Sequence, residues 1–368
     1  MPKKNILYAL TTLEVTSGVT SYLMAYYKSL DLTKYSVDFC IHVNNRGDYA
    51  DLIESNGGHI YFMDVFSLKN VLSLRKRLRK VFESKKYDIV EVQIPVASYF
   101  YLKEAKRAGV PVRILHAHST SAAGTKFTNF RDEIFQNMGK KYPNYRLACS
   151  EAAGKYLFGK KDFTVITNAI DYSRFKFNQA DCDEIRKRHN IKSDEFVIGF
   201  AGRICPEKNL PFMLEVLEQM KAQGISFKSF IIGSGPNDEE LLKKIKEKNL
   251  EDVLIKLPAT KEVAKYYNAF DCFLLPSIYE GLPVAGVEAQ ISGCNCIFSD
   301  TITGEANIFD VKYLSNKDHN AWINEIKRIM DNPRDRLNFV PNDNFNITTQ
   351  YQKLVDFYEE ALEKEAKE

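Results

Sequence analysis

The sequence lacks a long apolar run. No stretch of its 368 residues approaches the roughly 20 consecutive apolar residues that a membrane-spanning helix requires. The first five residues, Met-Pro-Lys-Lys-Asn, lead directly into a short apolar run at residues 6–10, which predicts a first strand and not a secretion signal. Because 45% of the residues are hydrophobic and 12% are aromatic, the chain can bury one large core or two ordinary ones.

Cysteine is sparse and irregularly spaced. The chain has 7 cysteines, an odd number, and no Cys-x-x-Cys pair. Cys294 and Cys296 are separated by one residue, but no His or further Cys stands at metal-ligand spacing from them. We therefore expect reduced thiols in a cytoplasmic protein, without structural disulfides and without a bound metal.

The chain has little net charge, +3, but the charge is unevenly divided. Residues 1–170 contain 25 Lys and Arg against 15 Asp and Glu, while the remainder contains 26 against 33. Much of the basic excess lies in residues 74–82, which read as an amphipathic helix. The basic side chains of this helix either form an ordinary solvated face or contact an anionic membrane. In the second case, each basic residue adds about 1 kcal/mol to the free energy of membrane binding. The basic residues concerned are Arg75, Lys76, Arg79 and Lys80. No nucleic-acid-binding module accompanies them, so nucleic acid is not an expected partner.

Short apolar runs alternate with amphipathic segments of helix length along the chain. The runs predict strands at residues 6–10, 37–42, 60–63, 89–92, 112–115 and 147–149, and again at 197–201, 230–233, 253–257, 272–275 and 295–299. This alternation is typical of parallel, doubly wound sheets, so the sequence predicts an α/β protein with two Rossmann-like units. The polar residues 178–194 are the predicted linker. An apolar stripe after Thr348 predicts a final helix that packs onto the fold.

Candidate binding residues follow two strands of the second unit. Gly202, Arg203 and Lys208 come after the strand at 197–201, and ligands of open parallel sheets bind at the carboxyl ends of strands. An Arg and a Lys at such an edge indicate a diphosphate site, although two surface cations beside a turn are the alternative. Gly233 and Gly235 follow the next strand and open a predicted helix, where free amides could contact an anion.

The most specific pattern lies in residues 277–290, where seven residues separate Glu280 from Glu288. Together with Gly-Arg-x4-Lys-Asn at 202–209 and Gly-x-Gly-Pro at 233–236, it resembles glycosyltransferase family 4, in particular the bacterial exopolysaccharide and capsule branch. The resemblance extends over nearly the whole chain. It implies a GT-B fold, with two Rossmann-like domains facing across a cleft: an acceptor-binding domain at 1–175, a nucleotide-sugar-binding domain at 176–345, and a helix at 346–368 packed back on the first domain.

The resemblance also implies an activity. A hexosyl group would move with retention of configuration from a nucleoside-diphosphate sugar, with UDP as the expected nucleotide, to a glycan or polyprenyl-linked acceptor. Neither a metal nor any other cofactor is expected. Glu288 would accept hydrogen bonds from the ribose, Glu280 would bind a sugar hydroxyl, and Arg203 with Lys208 would neutralise the leaving diphosphate. Further donor contacts are implied at Ser17, Gly18, Gly202, Gly233, Gly235, Pro258, Gly281, Leu282 and Pro283.

In the first unit, Ser17 and Gly18 open a helix and resemble the family's Gly-Gly-Val loop, although Ser17 replaces the first glycine and could cap the helix. His116 and His118 follow the strand at 112–115 and share one face by alternation. No Cys or carboxylate stands at zinc-ligand spacing from them.

By resemblance, His118 matches the histidine that binds the donor sugar. His116 is either a sugar or acceptor contact or a structural histidine. Glu91 and Gln93 stand where relatives often carry histidines, which predicts unusual contacts on the acceptor side.

One motif is a decoy, and two alternatives to this activity remain open from the sequence. The Asp-x-Asp at Asp181 and Asp183 imitates a metal-binding motif of another glycosyltransferase architecture, but it starts a charged helix, where acidic side chains complement the helix dipole. The acceptor could be a soluble sugar or a protein, or the enzyme could be a nucleotide-sugar epimerase. The chain could also be a non-catalytic subunit that binds a sugar nucleotide.

Overall fold

The structure is a computed structural model that describes residues 2–15, 17–43, 45–64, 70–119, 126–280 and 282–367. It divides into two compact units. Unit 1 comprises Met1–Ala169 and Phe345–Glu368, and unit 2 comprises Ile170–Asn344. Each unit is a parallel sheet with helices on its faces, so both are Rossmann-like α/β units.

Unit 1 is built on a parallel sheet. Its strands in the described residues are β1 Lys4–Leu10, β2 Tyr35–Ile41, β3 Ile60–Phe62, β4 Ile89–Val92, β5 Val112–Ala117, β6 Tyr145–Ala148 and β7 Thr164–Val165. They lie in the order β3-β2-β1-β4-β5-β6-β7. Its helices are α1 Gly18–Ser29, α2 Ala50–Ser55, α3 Val71–Ser84, α4 Ser98–Arg107, α5 Lys126–Gly139, α6 Glu151–Phe158 and, after unit 2, α14 Ile347–Glu365.

The central strand β1 shows why these runs are apolar throughout. Ile6 and Tyr8 point into the core beneath α1, whereas Leu7 and Ala9 point into the core beneath α3 and α4. A strand that is covered on both faces needs apolar residues at every position. Helix α14 adds Tyr358 to the same core as Tyr8, so the last helix of the chain is part of unit 1.

Unit 2 repeats the architecture. Its strands are β8 Phe196–Ala201, β9 Phe227–Ile232, β10 Leu254–Leu257, β11 Cys272–Leu275, β12 Asn295–Ser299 and β13 Lys312–Leu314. All of these strands pair in parallel, in the order β10-β9-β8-β11-β12-β13. Its helices are α7 Tyr172–Phe175, α8 Gln179–Arg188, α9 Leu210–Ala222, α10 Asp238–Glu247, α11 Val263–Ala269, α12 Val284–Ile291 and α13 His319–Asp331.

Every run that was predicted as a strand is one, and two short strands were missed. Both β7 and β13 are edge strands of two or three residues that are not fully buried, so neither carries an apolar run. The linker prediction was wrong, because residues 178–194 contain α8, which packs on α11. Only Cys182 and Ile185 of α8 are buried, which is why the segment looks polar, and Asn178 caps it by accepting from the Asp181 and Ala180 amides.

The structure also shows the state of the cysteines and the length of the helices. All seven cysteines are free thiols, and none is paired in a disulfide. Across the described ranges, no helix is long and apolar enough to cross a bilayer. The same ranges contain no group of three or more His, Cys, Asp or Glu side chains placed to hold a metal ion.

Candidate functional site

The predicted binding residues of unit 2 lie at one edge of its sheet. Gly202 follows β8, Gly233 follows β9 and Pro258 follows β10, while Ser277 and Glu280 lie in the loop after β11. These four strands are neighbours in the order β10-β9-β8-β11. Because parallel strands end at a common edge, the fold brings together Gly202 and Glu280, which are 78 positions apart in the chain.

Gly233 and Gly235 have a packing reason to be glycine. A Cβ atom on Gly233 would lie 1.8 Å from the carbonyl oxygen of Gly202, and one on Gly235 would lie 2.0 Å from that of Ile204. Gly233 also adopts a φ of 150°, which residues with a side chain rarely adopt. The loop after β9 can therefore lie directly against the loop after β8.

The amides of these two glycines already have acceptors. Gly233 donates to the Leu257 carbonyl at 3.0 Å, and Gly235 donates to the Asp238 carboxylate at 2.9 Å. The bond from the Gly235 amide, helped by Lys256, lowers the pKa of Asp238 below its usual value. The amides of Gly233 and Gly235 are therefore not free, and the expectation that the start of the following helix, α10, offers free amides stays a prediction. Any anion at this edge must be bound mainly by other groups.

Side chains supply those groups. Lys208 and Glu280 form an ion pair, with Nζ 2.5 Å from Oε1, and the Ser277 hydroxyl donates to the same oxygen at 2.7 Å. The Ile278 amide also donates to the Glu207 carbonyl at 2.8 Å, so the two loops are tied together. The structure thus joins two residues to which the sequence assigned separate parts of a ligand.

Arg203 differs from Lys208 in its surroundings. Its side chain is exposed, and it makes no hydrogen bond or ion pair with any residue that the structure describes. Since the charge of Lys208 is matched by Glu280, the guanidinium of Arg203 is the uncompensated cation of these two. An anionic ligand at this edge would bind it without breaking an existing ion pair.

Glu288 lies on α12 and is partly buried. Burial raises the pKa of its carboxyl to about 7, while a hydrogen bond from the Tyr267 hydroxyl, at 2.9 Å to Oε2, and the charge of Arg174 oppose that rise. Burial also raises the pKa of Tyr267 well above its usual value, so its hydroxyl remains a donor. Sequence reasoning missed Tyr267 and Arg174, because neither belongs to a motif.

The remaining donor residues of unit 2 shape the start of α12. Pro283 is buried at the N-cap position, and its carbonyl accepts from the Val287 amide at 3.0 Å. The Leu282 carbonyl accepts from the Val284 amide at 3.0 Å. Pro258 is exposed beyond the end of β10. Gly281 lies outside the residues that the structure describes.

Two surface pockets of unit 2 lie elsewhere. They have volumes of about 300 and 320 Å³, and Asn295 lines both of them. Asn295 begins β12, and Phe196, which lines the larger pocket, begins β8. Both pockets are therefore at the amino edge of the sheet, opposite the edge that carries Arg203 and Lys208.

In unit 1, Ser17 and Gly18 open α1 as predicted. The Ser17 hydroxyl accepts from the Thr20 amide at 3.3 Å, so Ser17 is the N-cap of the helix. A Cβ atom on Gly18 would have no neighbour within 4 Å. Packing within the protein therefore does not require glycine at this position.

The two histidines lie together at the end of β5. Their rings stack with centroids 4.3 Å apart, and His116 is completely buried whereas His118 is partly exposed. His116 Nδ1 lies 2.7 Å from a Glu91 carboxylate oxygen, and His118 Nε2 is hydrogen-bonded to the Gln93 side-chain oxygen. The His116 ring has no exposed surface, which favours the structural alternative, and a sugar or acceptor contact through it stays a prediction. His118 is the member of the pair that a ligand can reach.

Glu91 and Gln93 do not form an acceptor surface. Glu91 is 1% exposed and Gln93 is 4% exposed. Glu91 is hydrogen-bonded to His116 and Gln93 to His118, and the prediction that contacts on the acceptor side are unusual stays a prediction.

Helix α3 shows the predicted amphipathic pattern, but its basic residues are not equivalent. The Nε atoms of Arg75 and Arg79 each lie 3.2 Å from the carboxylate of Glu104, which is 3% exposed. Arg107 binds the same carboxylate at 2.8 Å. Two of the four cations proposed for a membrane surface therefore neutralise a buried anion. The other two, Lys76 and Lys80, are exposed.

Comparison with known proteins gives the family. The model of the family described as glycosyl transferases group 1 matches residues 181–344. The glycosyltransferase EpsF of Bacillus subtilis (strain 168) is 31% identical over 311 residues. The match covers 82% of this chain and 80% of EpsF. The UDP-Gal:alpha-D-GlcNAc-diphosphoundecaprenol alpha-1,3-galactosyltransferase of Escherichia coli is 28% identical over 316 residues, covering 79% of each.

Solved structures agree on the fold. Anabaena HepE in complex with UDP-glucose superposes with a TM-score of 0.76, at 17% identity, over 97% of this chain and 99% of HepE. This similarity concerns the GT-B fold alone. The fold class expected from the sequence, an α/β protein of the GT-B type with two Rossmann-like units, is therefore confirmed.

Proposed function

Since this chain belongs to the glycosyl transferases of group 1, we propose that it is a retaining, metal-independent family 4 enzyme that uses a UDP-sugar. The proposed acceptor is a glycan or a polyprenyl-linked glycan in exopolysaccharide or capsule synthesis. Support for UDP comes from the names of two similar proteins, HepE with UDP-glucose and the E. coli galactosyltransferase that uses UDP-Gal. The latter name also supports a lipid-linked acceptor.

One observation carries the proposal. At the carboxyl edge of the unit 2 sheet, Arg203 is exposed and unpaired among the described residues, beside the Lys208–Glu280 ion pair. An exposed cation beside an ion pair can accept a diphosphate without breaking the pair. Glu288, on the helix that follows the same loop, supplies the carboxyl that would bind ribose hydroxyls.

The proposed reaction breaks the bond between the anomeric carbon and the phosphate oxygen. The acceptor oxygen forms the new bond on the same face of the sugar, and the leaving phosphate oxygen takes the acceptor proton. Arg203 and Lys208 would neutralise the charge that grows on the leaving diphosphate. Glu280 and His118 would hold the sugar through hydroxyl groups. No side chain needs to act as a covalent nucleophile.

We further propose that the enzyme works in the cytoplasm on the inner face of a membrane. Lys76 and Lys80 are exposed on α3, and Leu72 on the same helix is 80% exposed. An apolar side chain beside lysines is a suitable contact for anionic lipid headgroups. Arg75 and Arg79 contribute less to this proposal because they bind Glu104.

A thermal-shift screen of nucleotides and nucleotide-sugars tests the donor. A ligand at 100 times its Kd stabilises the native protein by about 2.7 kcal/mol, which is a measurable rise in Tm. We expect UDP and at least one UDP-hexose to stabilise the protein with EDTA present. Failure of every nucleotide to raise Tm would contradict the proposal.

Product analysis then separates the enzyme classes. Incubation of the stabilising UDP-sugar without an acceptor would convert it to another UDP-sugar only if the enzyme were an epimerase. With an acceptor, proton NMR of the anomeric coupling in the product distinguishes retention from inversion. Donor binding without hydrolysis or transfer across an acceptor panel would indicate a non-catalytic subunit.

A further inference from the structure

A buried chain of hydrogen bonds in unit 1 connects the last helix to His118. The hydroxyls of Tyr8 and Tyr358 lie 3.0 Å apart, and the Tyr358 hydroxyl donates to Glu91 Oε2 at 2.5 Å. The Gln93 side-chain amide donates to Glu91 Oε1 at 2.7 Å, and the Gln93 oxygen is hydrogen-bonded to His118 Nε2. Tyr358, Glu91 and Gln93 are not among the candidate donor-binding residues.

When Glu91 is a carboxylate, the donors and acceptors of this series of hydrogen bonds have only one consistent arrangement. Burial raises the pKa of Tyr358 well above its usual value, so its hydroxyl keeps its proton and donates a hydrogen bond to Glu91. His116 Nδ1 and the Gln93 amide also bind the carboxylate, at 2.7 Å each. A carboxylate only accepts hydrogen bonds. The NH2 group of Gln93 must therefore face Glu91.

The orientation of Gln93 decides which nitrogen of His118 carries a proton. The side-chain oxygen of Gln93 faces His118 and can only accept, so Nε2 of His118 must be the N–H donor. Burial, assisted by the neighbouring His116, lowers the pKa of His118 well below its usual value, so the ring is neutral at pH 7. A neutral ring has one N–H, which leaves a lone pair on Nδ1. Within the described residues, Nδ1 has no hydrogen-bond partner.

We propose that Glu91 and Gln93 are positioning residues that hold His118 in the Nε2–H tautomer, so that its Nδ1 accepts a hydrogen bond from a hydroxyl of the donor sugar. The proposal rests on the proposed function, because it takes His118 as the sugar-binding histidine.

The tautomer can be observed without any ligand. Long-range proton–nitrogen NMR of the 15N-histidine-labelled protein distinguishes the Nε2–H, Nδ1–H and doubly protonated forms of each of the 6 histidines. The resonances that disappear in His118→Gln are those of His118. We expect the Nε2–H form in the wild type at pH 7. The Nδ1–H form or an imidazolium would overturn the proposal.

Variants of the supporting residues test the cause. Gln93→Met removes the acceptor with little change in size, and we expect it to shift His118 toward a mixture of tautomers. Glu91→Gln should do the same, because an amide at this position lets Gln93 turn over. Glu104→Gln is the matched control, since Glu104 is another buried carboxylate of unit 1 held by several donors. If Glu91→Gln does not fold, Gln93→Met alone still tests whether these residues set the tautomer. An unchanged His118 tautomer in Gln93→Met would overturn the proposal.

Calorimetric titration connects the tautomer to the donor. We expect Gln93→Met to raise the Kd of UDP-glucose or UDP-galactose about 3- to 10-fold, as for one lost neutral hydrogen bond, and to leave the Kd of UDP unchanged. The ratio of the Kd of the UDP-hexose to the Kd of UDP should therefore rise in the variant, and an unchanged ratio would overturn the proposal. If UDP does not bind the wild type, the proposed function fails, and the NMR result still decides the tautomer.

Discussion

Replacing Glu288 with Gln should stabilise the protein at pH 8 and leave its stability nearly unchanged at pH 4. The carboxyl has a pKa of about 7 in the folded protein against 4.5 ordinarily, because burial disfavours its charged form. Between these two values the folded state binds more protons than the unfolded state. The stabilising effect of the protonated carboxyl is therefore fully present below pH 4.5 and is lost as pH rises through 7.

The magnitude follows from the size of the shift. One pKa unit corresponds to about 1.4 kcal/mol, so a rise of this size lowers the stability at pH 8 by about 3 kcal/mol relative to a neutral side chain. Glutamine stays neutral at every pH and can still accept the hydrogen bond of Tyr267. As pH rises from 4 to 8, the free energy of unfolding of the variant should therefore come to exceed that of the wild type by up to about 3 kcal/mol.

Urea unfolding at several pH values, followed by a signal from unit 2, measures this difference. Glu239→Gln on α10 is the control, because that side chain is exposed and the substitution should give no such trend. A difference between Glu288→Gln and wild type that stays constant from pH 4 to 8 would refute the assignment. The same variant should bind UDP less tightly, since the proposed ribose contact is weakened. A gain in stability accompanied by a loss of binding is typical of a residue kept for function.

Three further predictions concern other charged residues. Lys208→Ala should lower kcat about 10- to 100-fold with a smaller change in donor Kd, because the charge on the leaving diphosphate grows toward the transition state; a wild-type kcat in steady-state kinetics would contradict this role. Glu104→Gln should lower the free energy of unfolding in urea by about 1–2 kcal/mol, since its arginine partners are partly solvated; no change would mean that these ion pairs contribute nothing. Exchanging both Lys76 and Lys80 for Glu should reduce cosedimentation with phosphatidylglycerol vesicles by more than 10-fold, with phosphatidylcholine vesicles as the control; equal binding would place any membrane contact elsewhere.

Local patterns determined most of the fold. Strands such as β1 and β8 are buried on both faces, so their composition alone distinguishes them from the helices beside them. Where burial is incomplete, the pattern fails, as at β7 and β13. Helix α8 was misread as a linker for the same reason, because most of its surface is exposed.

The sequence by itself determined which residues stand at the candidate site, since Arg203, Lys208, Glu280 and Glu288 belong to motifs with fixed spacing. Only the tertiary structure decided how they are paired. Lys208 and Glu280 are 72 positions apart, and their ion pair exists because β8 and β11 are neighbours in the sheet.

The histidine pair shows the same division. Alternation along β5 placed His116 and His118 on one face, but their different exposure depends on what covers that face. Glu91 lies 25 positions from His116 and 267 from Tyr358, so no local pattern could reveal the network that they form. Spacing along a chain reports which face a side chain takes, whereas burial and hydrogen-bond partners depend on elements that only folding brings together.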